Sequence, residues 1–394
     1  MADLIVGLDI GTTKVCAVAG EMAENGLVDV VGIGTRPSHG MRKGVVVNIE
    51  QTVQSIRGAI EDAELMAGCE INSVYVGIAG GHIAGINSHG VIAVKGGEVG
   101  QRDVERALDA ARAVAIPADR EVIHILPQEY IVDNQRGIAD PLGMAGVRLE
   151  VKVHIVTGAV TSAQNIVRSC HRSELEVSDI ALESLASAKA VLTEEERELG
   201  VALVDIGGGT TDIAVLSMNG VAVSSSLKVA GNYFDEMIAR YVRRQHGVVV
   251  GQVTAENVKI QIGQVYPRDE ERSMNVKGRD FKTGMPKVIT LTSTEIFEVL
   301  RRPARMITDE VLAVLEQTSP ELVSDISENG ITLTGGCSQI WGMDLLIAER
   351  TGIGCVLADD PDACTAYGAG KSLAWINHMQ EGPINIARKR AMRG

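Results

Sequence analysis

Short apolar runs separated by glycine and polar turns open this chain, and the same arrangement returns in its second half. Runs of this length between turn residues predict β-strands, and three in succession predict a meander. Because the arrangement occurs twice, the sequence predicts two similar halves. The predicted strands are 4–8, 15–19 and 28–33 in the first meander, and 201–206, 213–217 and 221–229 in the second.

Amphipathic stretches, with apolar residues three or four positions apart, follow each meander and predict helices. Helices mixed with strands in this way predict an α/β fold. Between about residues 81 and 156 the pattern changes to a glycine-rich segment at 82–97, one helix and a turn-rich loop at 133–146, which predicts a small inserted subdomain. The predicted helices are 49–67, 102–114, 162–173, 184–192, 233–245, 255–262, 295–317, 342–351 and 363–378, and the other β-type segments are 74–79, 121–126, 151–157, 273–291 and 330–334.

Each half carries an aspartate that leaves a predicted strand into a turn of glycine and threonine. Glycine lets backbone N–H groups approach anionic oxygens, threonine adds hydroxyl donors, and the aspartate can hold hydrated Mg²⁺. One such turn is also typical of a hairpin, but two copies predict a clamp for a phosphate chain. The candidate phosphate-binding residues are Gly11, Thr12, Thr13, Lys14, Gly207, Gly208, Gly209 and Thr210, and the candidates for Mg²⁺ through water are Asp9 and Asp205.

Three other places carry candidate chemistry, each with a simpler alternative. Glu183 precedes a predicted helix, where it would either position a water for phosphate hydrolysis or interact with the helix dipole. Glu256 and Lys259 lie one helical turn apart, where they would bind a ribose and adenine or form a solvated ion pair. The segment after strand 330–334 would lie under a purine or ribose, or form a plain turn; its candidates are Gly335, Gly336, Cys337 and Ser338.

Composition narrows the functions open to this chain. Its 394 residues exceed a typical single domain, so we expect roughly two to three cores. A formal net charge of −14 disfavours a nucleic-acid binder, because neutralising phosphates needs a basic face. No signal-like start or run of about 18 apolar residues occurs, so we expect a cytoplasmic protein. The cysteines are far apart and are expected to be reduced thiols: Cys16, Cys69, Cys170, Cys337, Cys355 and Cys364.

These motifs resemble those of the actin, sugar-kinase and DnaK-type ATPase superfamily, and two of its bacterial families in particular. Residues 1–200 resemble cell-division protein FtsA, and residues 201–377 resemble rod-shape protein MreB. The FtsA-like strings are 37–44, 61–68, 125–130, 137–144 and 153–158, and the MreB-like strings are 230–236, 241–244, 254–259, 276–279, 315–317, 320–322 and 324–328. Asn232 and Cys337 depart from the usual MreB-like residues, Asp at the first position and Gly or Ala at the second.

The resemblance implies an actin-like fold, ATP or ADP with Mg²⁺ in the cleft, and Glu183 and Asp212 on the hydrolysis side. It also implies a division into subdomains. These are subdomain IA at 1–81 and 158–199, an FtsA-like insert of the 1C type at 82–157, subdomain IIA at 200–232 and 292–378, subdomain IIB at 233–291, and a basic tail at 379–394.

The same resemblance implies a filament-forming protein of cell division, with a slow ATPase coupled to polymerisation. Its expected partners are further copies of itself, the tubulin-like protein FtsZ, and an anionic membrane surface reached by the basic residues of 383–393. Three alternatives stay open: an MreB-like cell-shape or positioning filament, a small-molecule kinase on the same fold, and a non-polymerising ATP switch.

Overall fold

In the computed structural model the chain is described at residues 4–22, 28–218, 220–359 and 361. The predicted helix 363–378 and the basic tail 379–394 therefore lie outside the described residues. Within the described part, no helix is both long enough and apolar enough to cross a membrane.

The first half begins with the predicted meander. Strands β1 to β3 run antiparallel, and β6 then joins β1 on its other edge as a parallel neighbour. These apolar strands form the centre of the first core. The elements are β1 Leu4–Ile10, β2 Lys14–Met22, β3 Val28–Pro37, β4 Met41–Arg42, β5 Val45–Val46, α1 Ile49–Ala67 and β6 Ser73–Ile78.

Helix α1 packs against this sheet as its spacing predicted. Ile56 is completely buried, and the helix begins at Asn48, whose side chain accepts the Gln51 N–H, and ends at Gly68 with φ 72°. Gly34 on β3 makes the close packing possible, because a Cβ there would lie 1.8 Å from the Ala59 carbonyl oxygen of the helix.

The inserted subdomain is a four-stranded antiparallel sheet with one helix against it and its own apolar core. The glycine-rich segment, which had no predicted element, contains β7, which pairs with β10. The segment predicted as a turn-rich loop contains β9, which pairs with β8. The elements are β7 Ala84–Ala93, α2 Gln101–Arg112, β8 Arg120–Val132, β9 Gln135–Ile138 and β10 Arg148–Ala159.

After the insert the chain completes the first sheet, whose order is β11-β6-β1-β2-β3. The acidic run at 194–196 lies in a short helix, which Thr193 caps through its hydroxyl. The elements are α3 Val160–Arg172, β11 Glu176–Leu182, α4 Glu183–Val191 and α5 Glu194–Leu199.

The second half repeats the plan of the first. Its sheet has the order β14-β13-β12-β18-β19, an antiparallel meander joined through β12 to two parallel strands. The described elements are β12 Val201–Ile206, β13 Thr211–Ser217, β14 Gly220–Leu227, α6 Gly231–His246, β15 Val248–Val249, α7 Gln252–Ile262, β16 Ser273–Asp280, β17 Pro286–Thr292, α8 Ser293–Gln317, α9 Pro320–Asn329, β18 Ile331–Thr334, a 3₁₀ turn Gly336–Gln339, α10 Met343–Thr351 and β19 Cys355–Leu357. The two sheets share one strand arrangement, so the duplication predicted from the sequence is confirmed.

Two details of the second half differ from the prediction. The β-type stretch 273–291 is not one segment: it is the hairpin of β16 and β17, and β15 adds a third strand. Helix α9 was not predicted at all, although Ser319 caps it and Pro320 occupies its first turn, which is a start signal in the sequence.

Candidate functional site

The two glycine and threonine turns face each other across the cleft between the halves. An added Cβ on Gly208 would lie 2.2 Å from Cγ2 of Thr13, and one on Gly209 would lie 2.2 Å from Oγ1 of Thr12. Any side chain at these two glycines would therefore push the turns apart. The glycines allow the two turns to pack closely here, and the approach of their N–H groups to phosphate stays a prediction.

Hydrogen bonds from the first residues of α6 hold the second turn in place. The backbone N–H of Gly231 donates to the Gly207 carbonyl at 3.0 Å, and that of Asn232 donates to the Gly208 carbonyl at 2.8 Å. Within the turn, the Gly207 N–H donates to the Thr210 carbonyl at 3.0 Å. These bonds use the turn's carbonyl groups, so its position depends on the helix of the second half.

A cavity of about 490 Å³ lies between the halves at these turns. Every predicted site residue lines it except Ser338, whose hydroxyl instead donates to the Gly335 carbonyl at 2.5 Å inside the 3₁₀ turn. The sequence did not assign five further lining residues, two of which have apolar side chains. These five are Gly231, Asn232, Ile260, Gln339 and Ile340.

Four carboxyl groups, from Asp9, Asp205, Asp212 and Glu183, converge at one end of this cavity. Burial, with the negative charge of Asp9 beside it, raises the pKa of Glu183 well above its usual range. Burial also raises the pKa of Asp9 to about 6, even though the hydrogen bond with Glu183 acts to lower it. Burial therefore favours the protonated form of Glu183, which can donate to the Asp9 carboxylate.

Asp9 and Asp205 differ in how their oxygens are satisfied. Asp9 is 5% exposed, and its Oδ1 has no hydrogen-bond partner among the described atoms. Asp205 accepts the hydroxyl of Ser187 on Oδ2 at 3.1 Å. A buried carboxylate oxygen without a partner costs free energy unless a ligand or cation completes it.

Asp212 lies opposite Asp205 in the β12–β13 ladder. Burial raises its pKa to about 6, although nearby donors, the backbone N–H of Gly80 among them, act to lower it. Gly80 stands at the entry to the inserted subdomain. The structure thus brings Asp212 to the carboxylate cluster, where the resemblance implied it.

Lys259 forms an ion pair that the sequence did not predict. Its Nζ lies 2.8 Å from Oδ1 of Asp235 on α6, and both side chains are almost completely buried. The alternative of a solvated pair between Lys259 and Glu256 is wrong, since Lys259 is turned inward, although both residues line the cavity. Asp235 adds to the site a residue whose role only the packing of α6 against α7 reveals.

The third turn passes beneath the same cavity. Gly335 has φ 82°, and a Cβ there would lie 2.5 Å from Oδ1 of Asp205. Cys337 is buried, which raises the pKa of its thiol to about 12 and keeps the thiol neutral. This turn therefore presents backbone and a small neutral side chain to the cavity.

We expect Gly335→Ala to lower the free energy of unfolding by about 1–3 kcal/mol, from left-handed backbone strain and a clash with Asp205. Gly352→Ala is a matched control, because Gly352 has φ 72° with no heavy atom within 4 Å of an added Cβ. Urea unfolding of both variants separates the two causes. A loss no larger than that of the control would contradict the clash.

Comparison with known proteins adds the family context. A family model described as MreB/Mbl protein matches residues 165–381, and one described as an SHS2 domain inserted in FTSA matches residues 80–157. Cell division protein FtsA of Pseudomonas aeruginosa is 48% identical over 346 residues, which cover 88% of this chain and 80% of that protein.

Solved structures share the fold. MreB5 of Spiroplasma citri, crystallised with ADP, matches with a TM-score of 0.65 at 23% identity and covers 96% of this chain and 99% of its own. MamK in a double helical filament matches with a TM-score of 0.56 at 14% identity and covers 95% and 98%. Both predicted resemblances are confirmed, and the similarity to FtsA also extends beyond residues 1–200, since that alignment covers 88% of the chain.

Proposed function

The chain belongs to the family of cell division protein FtsA, and from this premise we propose that it binds ATP between its halves and assembles into filaments. The observation that carries the proposal is the pair of facing glycine turns with four carboxyl groups in one cavity. The family favours cell division over a cell-shape filament. No feature of the described residues favours a small-molecule kinase.

The residues of the cavity fit a nucleotide with its cation. The two turns and Lys14 are assigned to the phosphates, and Glu256, Lys259 and the turn at Gly335 to the nucleoside. That MreB5 of Spiroplasma citri was crystallised with ADP supports a nucleotide in this fold. Lys259 would hold its place against the ligand because Asp235 fixes its ammonium group.

Asp9 and Asp205 are assigned to hydrated Mg²⁺. The free Oδ1 of buried Asp9 supports this, because it faces the cavity without a hydrogen bond. In residues 4–22, 28–218, 220–359 and 361, no three or more His, Cys, Asp or Glu side chains, the four carboxyl groups of the cavity included, are placed so that they could hold a metal ion by themselves, but Mg²⁺ bound with a nucleotide needs only one or two carboxylates. Bound there, Mg²⁺ would neutralise phosphate charge.

Glu183 and Asp212 are assigned to the hydrolytic step. Both carboxyl groups line the cavity beside Asp9 and Asp205, where they can orient a water toward the terminal phosphate. Positioning is the main task in phosphoryl transfer, since the transition state is loose. A slow hydrolysis that follows assembly is the activity we propose.

Sedimentation with ATP and Mg²⁺ tests this function. We expect the chain to pellet and form filaments visible by electron microscopy with ATP, and less with ADP. The filament of MamK, which shares the fold, supports this expectation. Neither nucleotide binding nor a nucleotide-dependent pellet, over a range of protein concentrations, would contradict the proposal.

Purified FtsZ is the proposed protein partner, and a pull-down with ATP tests it. Two exposed cations give matched variants: Arg102→Glu on helix α2 of the insert, and Lys282→Glu on the β16–β17 hairpin. Weaker capture by the first variant alone supports contact through the insert. Weaker capture by the second alone places the contact on the hairpin.

Membrane contact through the basic residues of 383–393 remains a proposal, because this segment lies outside the described residues. Basic residues near an anionic bilayer gain about 1 kcal/mol each. Flotation with vesicles containing anionic lipid, compared with neutral vesicles, tests it. Equal binding to both would count against an electrostatic contact.

A further inference from the structure

The inserted subdomain reaches the hydrolytic end of the site through a histidine. Nε2 of His124, on strand β8, accepts the backbone N–H of Leu182 at 3.1 Å. Leu182 ends β11 and is the residue directly before Glu183, where helix α4 begins. The histidine thus holds the backbone from which the Glu183 side chain extends.

His124 is suited to this bond at neutral pH. Desolvation lowers the pKa of its imidazole to about 4, so the ring is neutral and Nε2 can accept when Nδ1 carries the proton. Leu182 is 4% exposed, so water would not readily take the place of Nε2 as the acceptor of its N–H if His124 were replaced.

The insert meets the site at a second, independent place. The backbone N–H of Gly80 lies close enough to the Asp212 carboxylate to lower the pKa of that group. Gly80 adopts φ 115°, and its carbonyl accepts the N–H of Ile83 at 2.8 Å, which begins the chain's turn into the insert. The insert therefore bonds the residue before Glu183, and its entry lies beside the Asp212 carboxylate.

The insert is also tied to the second half of the molecule. The side-chain amide of Gln128 donates to the Ala222 carbonyl at 3.0 Å, and Nε2 of His154 hydrogen-bonds Ser224 at 3.1 Å. Both partners lie on β14, the edge strand of the second sheet. A shift of the insert would thus act on both halves at once.

We propose that the insert positions Glu183 and Asp212 through His124 and Gly80, so that the insert's position sets the rate of hydrolysis more than the affinity for nucleotide. His124 is the positioning residue of this arrangement. The inference rests on the proposed ATP-hydrolysing function. A partner that binds the insert and shifts it would therefore change the rate of hydrolysis.

Substitutions at His124 test this directly. His124→Leu removes the acceptor, His124→Asn places an amide near Nδ1 rather than Nε2, and His124→Gln returns an acceptor near Nε2. We expect single-turnover ATP hydrolysis to fall about tenfold in the first two and to recover largely in the third. ATP affinity should stay within about twofold in all. His89→Leu, an exposed histidine of the same subdomain, is the matched control.

Hydrogen exchange gives a readout that does not need turnover. The non-hydrolysable analogue AMPPNP should slow exchange across residues 120–132 in the wild type and in His124→Gln. It should leave that segment unchanged in His124→Leu and His124→Asn. If either His124→Leu or His124→Asn fails to fold, the other still gives the comparison.

The outcomes separate this inference from the proposed function. If the wild type binds ATP while His124→Leu hydrolyses it as fast as His89→Leu does, the inference is wrong and the function stands. The same holds if AMPPNP binds without changing exchange in 120–132. If the wild type binds no nucleotide, the proposed function fails and the inference falls with it.

Discussion

Replacing Lys259 by methionine should lower the free energy of unfolding by about 3–5 kcal/mol, because Asp235 would then be a buried charge without a partner. Burial already raises the pKa of Asp235, and Lys259 is what lowers it again. The loss should therefore depend on pH. A buried acid whose folded pKa is raised is penalised above its unfolded pKa and relieved by protonation below it. The deficit should thus be larger at pH 8 than at pH 5.

Urea unfolding at both pH values measures the effect, and two further variants control it. Lys287→Met removes the exposed ion pair with Asp280 and should cost less than about 1 kcal/mol. Lys259→Met combined with Asp235→Leu replaces the buried pair by apolar groups and should recover most of the loss. Equal losses in the free energy of unfolding for Lys259→Met and Lys287→Met would show that burial of the first ion pair adds no cost to its disruption.

The ion pair of Lys259 also shows a kind of contact that the sequence does not predict. Helical spacing places Glu256 and Lys259 on one turn, and that local relation offers each as the partner of the other. The actual partner, Asp235, lies on α6, and only the packing of two helices brings it near. Contacts between elements distant in sequence have no periodic signal, so this one could not be predicted.

The facing turns are the opposite case. Strand patterns deliver Asp9 and Asp205 to equivalent sheet positions, so recognising the repeat was enough to predict that the turns meet. Ser338 does not line the cavity, because its hydroxyl donates to the Gly335 carbonyl within the tight turn. Ile260 and Ile340 also line the cavity, but they were not predicted because an apolar side chain gives no chemical indication of a binding site. The residues of the turns could therefore be predicted from the sequence, whereas the apolar residues that line the cavity could not.

Glu183→Gln should reduce ATP hydrolysis by about 10²-fold, the loss typical when a group that orients the reacting water no longer holds it in place. The amide can still donate to Asp9, so the variant should bind ATP within a few-fold of the wild type. Its stability should not fall. Because burial raises the pKa of Glu183 well above its usual range, the carboxyl group opposes folding at pH 7, and a neutral amide removes that penalty.

Single-turnover phosphate release and thermal unfolding of the same preparations decide the matter. Glu195→Gln, which changes an exposed acid of the neighbouring helix α5, is the matched control and should alter neither quantity. Lower stability together with lower activity in Glu183→Gln would mean a packing role. Hydrolysis within threefold of the wild type would remove Glu183 from the hydrolytic step. Unimpaired folding with blocked hydrolysis should also prolong the ATP-dependent pellet, because the filaments would then keep their nucleotide unhydrolysed.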